Sequence, residues 1–425
     1  MDSFDGSFAS AQEEVAGAYE NVPFFRRHMD GAGLRPHDLR TPADFRRLPA
    51  TGKVDYRRNF PAGVLVRGAT LGDPFIFRSQ SSGTTGERLL TIAHTFALAE
   101  RMTTTSEAHP GLQAVFAAAR PQRIARYAAP NCSDVECATP FTTPESRTLF
   151  DGTRVLPVAH DLLATPKVMI DQAVAEIVDY DPHWLYTDPM HLAFLARNLR
   201  ARGGTPPPVG GVVLTYNLVT RIARRQVDEV FGASSIVVEV VSMSELGWMG
   251  MQCPAGFVHM NTDSFYLELL VGDRPAEPGE LAELYVTSIG DQISPHLRYR
   301  TGDIYTLVDG DCPCGHRFPR VEFEGRGRDV IRRAGAVRLT PKGLDRLVGD
   351  PGWIDLYKLR QLDDDRFSFR YIRPDGTDRT RDAATLTERL HDRLGGDAKL
   401  AVDEVDYIEC ERSGKFLPCV SEVAA

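Results

Sequence analysis

His183-Trp184-Leu185-Tyr186 is a short apolar run, followed by a helical pattern over 189–201 and then by a second apolar run, Val212-Val213-Leu214. The same alternation extends on both sides. Upstream, Ile170, Ala173, Val174, Ile177 and Val178 recur at helical spacing; downstream, a helix over 218–230 leads to a strand over 235–241. Helices alternating with short apolar strands predict a mostly parallel sheet with helices on its faces, an α/β fold. Such sheets bind ligands beyond the carboxyl ends of their strands. The loops after Tyr186, Leu214 and Val241 are therefore candidate pocket walls.

Away from this centre the texture changes. Residues 265–308 read as short strands and turns. A Gly/Arg/Asp segment, 325–329, then precedes a tail with strand, strand, helix, strand character. This places a domain boundary between a large N-terminal domain, 1–328, of mixed and parallel sheets flanked by helices, and a small C-terminal α+β domain, 329–425. On the N-terminal side, strands at 75–77 and 89–92 flank a loop of Gly, Ser and Thr. The first seventy residues alternate helical stretches with breaks at Val22-Pro23 and Leu48-Pro49.

The 425 residues suffice for two to three domains. With 42% hydrophobic and 25% charged residues, the chain has ordinary globular composition. A formal net charge of −9 argues against general affinity for nucleic acid or an anionic membrane, which needs a basic face. Residues 1–11 are polar and acidic, unlike a signal peptide, and no apolar run is long enough to span a bilayer. Seven scattered cysteines do not form a disulfide framework. The expectation is a cytoplasmic protein acting on small molecules, with a homodimer left open.

Four segments carry chemistry. Ser79-Gln80-Ser81-Ser82-Gly83-Thr84-Thr85-Gly86 packs hydroxyls and glycines densely enough to surround phosphate oxygens with N–H and O–H groups. It lacks the Gly-Lys-Ser/Thr ending of the common phosphate loop, and a strand follows rather than a helix. In Tyr299-Arg300-Thr301-Gly302-Asp303, an Asp beside a Gly at a strand end suits ribose hydroxyls, and equally suits a tight turn. Gly325-Arg326-Gly327-Arg328-Asp329 is a charged linker or a hinge, and Arg412-Ser413-Gly414-Lys415 places a lysine near the C-terminus.

In this order, the four segments resemble the adenylate-forming superfamily of acyl-CoA ligases, nonribosomal adenylation domains and luciferases. The closest resemblance is to its phenylacetate–CoA ligase branch. Tyr19-Glu20-Asn21-Val22-Pro23-Phe24-Phe25-Arg26 and Leu48-Pro49-Ala50-Thr51-Gly52-Lys53 are similar to that branch's N-terminal signatures, as is Cys312-Pro313-Cys314-Gly315 before the hinge. The resemblance implies an AMP-forming ligase that makes an acyl-AMP from ATP and a carboxylic acid, here aromatic, and passes the acyl group to coenzyme A. An amine or other acceptor is the alternative.

It further implies that Ser81, Ser82, Gly83, Thr84, Thr85 and Gly86 hold ATP phosphates. Glu245 would bind Mg2+ and Ser244 would lie near the α-phosphate. Val241 would take the adenine position, Asp303 the ribose with help from Arg326, and Lys415 the carboxylate and α-phosphate. Asp329 would be the hinge of a mobile C-terminal domain. Tyr127, Asn131, Tyr216, Met243 and Trp248 are candidate acid-pocket residues, against ordinary packing for at least half of them. The chain departs from the family at Val241 and Ser242, where an aromatic and a Gly are usual. It departs also at Thr215-Tyr216-Asn217, where small residues are usual, and at Gly86-Glu87-Arg88.

Cys253, His259, Cys312 and Cys314 supply three thiolates and an imidazole, enough for a closed tetrahedral Zn2+ site of structural type. Buried free thiols and a surface His are the alternative.

Overall fold

Thr220 sets the start of one central helix. Its hydroxyl accepts from the Ala223 N–H, so the helix runs Arg221–Phe231 and begins three residues later than the apolar pattern predicts. Asp188 does the same for helix Pro189–Ala201, accepting from the N–H groups of Met190 and His191 at 2.9 and 3.3 Å. Helix Lys167–Tyr180 turns Ile170, Ala173 and Ile177 into the core, while Val178, at the edge of the stripe, is exposed.

The computed structural model describes residues 4–80, 89–118, 121–129, 142–149, 151–204, 207–374 and 379–423. Two compact units are formed, each from two stretches of chain: Met1–Gln113 with Val240–Glu322, and Ala114–Glu239 with Phe323–Ala425.

The second unit contains the parallel strands. Ile124–Tyr127 lies between Arg154–Val155 and Trp184–Thr187, followed by Gly211–Leu214 and the first half of Ile236–Met243. Leu185, Val212, Leu192, Ala196 and Val227 pack between sheet and helices. Each of the Leu and Val side chains contributes roughly 1.5–3 kcal/mol by leaving water. The same unit includes a four-stranded sheet ordered Lys399–Glu404, Arg366–Ile372, Leu356–Gln361, Cys419–Ser421, with helices Pro341–Val348 and Thr380–Leu394. Its tail therefore has more strands and one more helix than the sequence pattern suggested. Phe416, beside Lys415, is buried in the core of the parallel layer.

The first unit is antiparallel. Phe265–Val271 pairs with Ala282–Ser288, which pairs with Tyr299–Val308. Gly247–Gln252 pairs with Val258–Met260 and with the second half of Ile236–Met243. A separate hairpin joins Ile76–Gln80 to Leu90–His94, and the segment 81–88 between them lies outside the described residues. No described helix is long and apolar enough to cross a membrane.

Candidate active site

Strand Ile236–Met243 ends directly before Ser244 and Glu245, and the chain returns in Gly247–Gln252. The reversal requires Gly247. Its φ is +75°, and a Cβ there would stand 2.9 Å from a Leu98 methyl. Arg101, buried and paired to Asp291 at 3.2 Å, also donates to the Leu246 carbonyl at 3.2 Å. The turn is thus anchored on one side.

On the other side it meets the glycine-rich hairpin. The Thr91 hydroxyl donates to the Ser244 carbonyl at 3.2 Å and lies 2.8 Å from the Ser79 hydroxyl. Ser79 and Thr91 are the cross-strand pair near the root of the Gly/Ser/Thr loop. The loop's stem and the Ser244-Glu245 turn are therefore one hydrogen-bonded structure. Ser81, Ser82, Gly83, Thr84, Thr85 and Gly86 themselves lie outside the described residues, as does Asn131.

Glu245 is buried at 3% exposure. Its Oε1 accepts from the Tyr299 hydroxyl at 3.0 Å and stands 3.3 Å from the Lys53 ammonium. Burial pushes its pKa up, but Lys53, a backbone hydrogen bond, His296 and Tyr299 together outweigh burial, so the carboxyl titrates below its ordinary value. His296 stacks on Tyr56 with centroids 4.5 Å apart, and burial brings its pKa down to about 4. An ionised carboxylate oxygen is the donor type that Mg2+, a hard ion, takes.

Lys53 and Tyr299 reach Glu245 together. Thr51 forms a parallel bridge to Tyr299, its N–H donating to the Arg298 carbonyl at 3.1 Å and its carbonyl accepting from the Arg300 N–H at 2.9 Å. The Leu48–Lys53 segment carried no chemical role in the sequence reading. Lys53 closes that segment, but local sequence does not reveal its partner. Asp303 lies buried in strand Tyr299–Val308, next to Gly302 at φ +75°. Val241 and Ser244 are half-buried, whereas Met243 and Trp248 are buried in the same unit.

In the second unit, the Lys415 ammonium donates to the Tyr216 carbonyl at 3.0 Å and lies 5.8 Å from the Tyr216 ring centroid. Tyr216 holds φ +75°, which is uncommon for a residue with a side chain. Asn217 donates to the Asp188 carboxylate, tying this turn to the cap of helix Pro189–Ala201. The departure at Thr215-Tyr216-Asn217 thus has a structural use. Lys415 sits in a turn closed by Gly414 N–H to Glu411 carbonyl and Glu411 N–H to Lys415 carbonyl, both 2.8 Å. Lys358, 2% exposed, donates to the Glu409 carbonyl at 2.6 Å and to Glu411 Oε1 at 2.9 Å. Sequence reading missed Lys358. A lysine within a strand pattern carries no sign that it is buried.

Tyr127 is fully buried in this unit. Arg326 ends strand Arg320–Arg326, and Asp329 closes a single 3-10 turn, Gly327–Asp329. Burial raises the Asp329 pKa against the opposing pull of Arg328 and Arg326. At Gly325, φ is +117° and a Cβ would overlap Pro341 at 2.4 Å, so only glycine fits before this turn.

Cys253, His259, Cys312 and Cys314 converge in the first unit, with their ligand atoms within 4.8 Å of one another. Cys253 Sγ and Cys312 Sγ are 3.8 Å apart, and Cys314 Sγ is 3.3 Å from His259 Nε2. Zinc with Zn–S of about 2.3 Å sets tetrahedral sulfurs about 3.8 Å apart. His259 Nδ1 donates to the Phe318 carbonyl at 2.6 Å, which leaves Nε2 as the ligand atom. The donor set fits zinc.

No family model matches the chain. Phenylacetate-coenzyme A ligase of Thermus thermophilus is 29% identical over 333 residues, 75% of this chain and 68% of that protein. The Escherichia coli protein of the same name is 25% identical over 344 residues, 78% of this chain and 72% of that one. Among solved structures, 2-hydroxyisobutyryl-CoA ligase in the postadenylation state matches with a TM-score of 0.71 at 17% identity, covering 95% of this chain and 86% of that one. Over about three quarters of its length the chain is thus similar to proteins named phenylacetate-coenzyme A ligase, and it shares the fold of 2-hydroxyisobutyryl-CoA ligase.

Proposed function

We propose that the protein is an AMP-forming acid–CoA ligase acting on an aromatic carboxylic acid. The acid's carboxylate attacks the α-phosphorus of ATP, forming acyl-AMP and releasing pyrophosphate. The CoA thiol then attacks the acyl carbon, giving a thioester and AMP, with the thiol proton passing to solvent. The observation that carries this reading is the hydrogen bond from Thr91 to Ser244, which joins the hydroxyl-rich hairpin to the turn bearing Glu245. A phosphate-binding loop and a divalent-cation ligand must be neighbours if one nucleotide is to use both.

Residues 81–86 hold the β- and γ-phosphates in this reading, with Ser244 near the α-phosphate, Val241 near adenine, and Asp303 and Arg326 at the ribose. Mg2+, when bound at Glu245, neutralises charge on the phosphates. Two anions must approach each other, and Lys415 supplies the opposing charge. A unit pair at about 4 Å is worth about 4 kcal/mol at an effective dielectric of roughly 20. Residues 329–425 act as the mobile domain, turning about Asp329 between half-reactions. The acid is met by side chains among Tyr127, Asn131, Tyr216, Met243 and Trp248. Zinc bound by Cys253, His259, Cys312 and Cys314 is structural, because four protein ligands leave no position for chemistry.

Carboxylic-acid-dependent exchange of pyrophosphate into ATP tests the first step. Addition of CoA or of amines to the accumulated adenylate identifies the acceptor. Exchange with arylacetic or benzoic acids and discharge by CoA are expected. Absence of exchange across a broad panel of acids overturns the reading, and discharge by amines alone reassigns the protein as an amide-forming ligase.

A further inference from the structure

Glu245 and Lys53 come from the two separate stretches of chain that make up the first unit, yet their side chains form an ion pair of 3.3 Å. The carboxylate side chain is 2% exposed, whereas the lysine side chain is 32% exposed. One partner is therefore fixed inside and the other reaches in from the solvent edge. The lysine is the first residue of helix Lys53–Asn59, and its backbone is held on both sides. Gly52 N–H donates to the Asp55 carboxylate at 2.9 Å, and the Thr51 hydroxyl donates to the Leu297 carbonyl at 2.8 Å. Its four-carbon stem has enough rotatable bonds for the ammonium to move while that root stays fixed.

A buried carboxylate without a counter-charge is costly, so a metal-binding Glu must be compensated before its metal arrives. A divalent ion and an ammonium cannot both sit within about 4 Å of each other against one carboxylate without strong repulsion. We propose that Lys53 is a built-in counter-cation that closes the Glu245 site to a free divalent ion, so that the metal enters only with the nucleotide's phosphates. The phosphates bring enough negative charge to receive the displaced ammonium, and ion and lysine then share them. Lys53 is in this sense a positioning residue. It orders the arrival of ligands and keeps Glu245 ready between turnovers.

This inference rests on the assignment of Glu245 as the metal ligand of the adenylation site. It is tested on the full nucleotide-free chain with Mn2+ alone, a paramagnetic ion preferring the same oxygen ligands, titrated by electron paramagnetic resonance. The wild type should bind Mn2+ weakly. Lys53→Met should gain one ion bound at least about tenfold more tightly, a gain removed by adding Glu245→Gln. Lys53→Arg should behave as wild type. Lys53→Gln, which keeps a donor for the carboxylate but no charge, should show the same gain as Lys53→Met and serves if that variant does not fold. Equal Mn2+ affinity in wild type and the uncharged variants overturns the proposal, as does tight binding by the wild type without nucleotide. Acid-dependent exchange by the wild type is read separately. A gain of Mn2+ binding without any exchange would sink the ligase reading while leaving the role of Lys53 standing.

Discussion

Lys415 donates a 3.0 Å hydrogen bond to the main-chain carbonyl of Tyr216, a residue whose backbone sits in the left-handed region. Strained conformations of this kind cost about 1–3 kcal/mol and persist where surrounding structure holds them. Here Asn217 and its partner Asp188 hold one end of the turn, and the buried Lys358 holds the turn carrying Lys415 through Glu409 and Glu411. An ammonium resting on a neutral carbonyl and the face of an aromatic ring can be released to a stronger anion. That is the behaviour the proposed two-step reaction requires of Lys415.

Lys415→Ala should slow adenylate formation by on the order of 10²-fold or more, the scale of removing one electrostatic stabiliser. Given pre-formed acyl-AMP and the acceptor, the same variant should complete the second step at nearly the wild-type rate. Asp329→Pro should show the opposite pattern, because a fixed φ restricts rotation at the turn. Equal impairment of both half-reactions by Lys415→Ala would rule out domain alternation.

Glu245→Gln should abolish acid-dependent pyrophosphate release while the circular dichroism spectrum stays that of the wild type. The amide is isosteric and still accepts from Tyr299, but it offers no anion to Mg2+. Near-normal release by this variant would place the metal elsewhere.

Elemental analysis should find about one zinc per chain. Cys312→Ser should lower thermal stability, and a strong chelator should reproduce the loss, because a structural metal contributes directly to folding. A metal-free preparation with unchanged melting would dispose of the site.

Gly247→Ala should destabilise the protein by about 1–3 kcal/mol, through its positive φ and the contact with Leu98. The turn bearing Glu245 should shift with it, so exchange activity should fall by more than the lost stability explains. Chemical denaturation alongside exchange kinetics measures both.

Glu14 gives the stability a pH dependence. Burial first, then the neighbouring Asp291, raise its pKa from 4.5 to about 7, against a 2.8 Å hydrogen bond from the Gly290 N–H. A carboxyl with a raised folded pKa binds its proton more tightly when folded. Its contribution is therefore favourable near pH 4.5 and is lost as pH rises through about 7. Because the side chain is only half-buried, the loss is discounted for solvent screening to about 1 kcal/mol. Glu14→Gln should flatten the denaturation midpoint between pH 5 and 7.5; an unchanged slope would assign the dependence to another group.

Much of this protein was legible without coordinates. The alternation around His183–Leu214 determined the parallel layer, and helix Pro189–Ala201 falls where the pattern placed it, because periodicity and caps are local properties of the chain. Cys253, His259, Cys312 and Cys314 were also recognisable as a set, since few residue types combine in that chemistry. Tertiary structure decided the partners of the charges. Nothing near Lys53 in sequence indicates Glu245, and nothing near Lys358 indicates Glu411. A charge is paired by whatever the topology brings to it, here a parallel bridge at Thr51 and Tyr299 in one unit and the register of strand Leu356–Gln361 in the other. The helix that starts at Arg221 instead of 218 marks the same boundary on a small scale. Apolar spacing is continuous there, but the Thr220 hydroxyl takes up an N–H that the first turn leaves unpaired, and that single hydrogen bond sets where the helix begins.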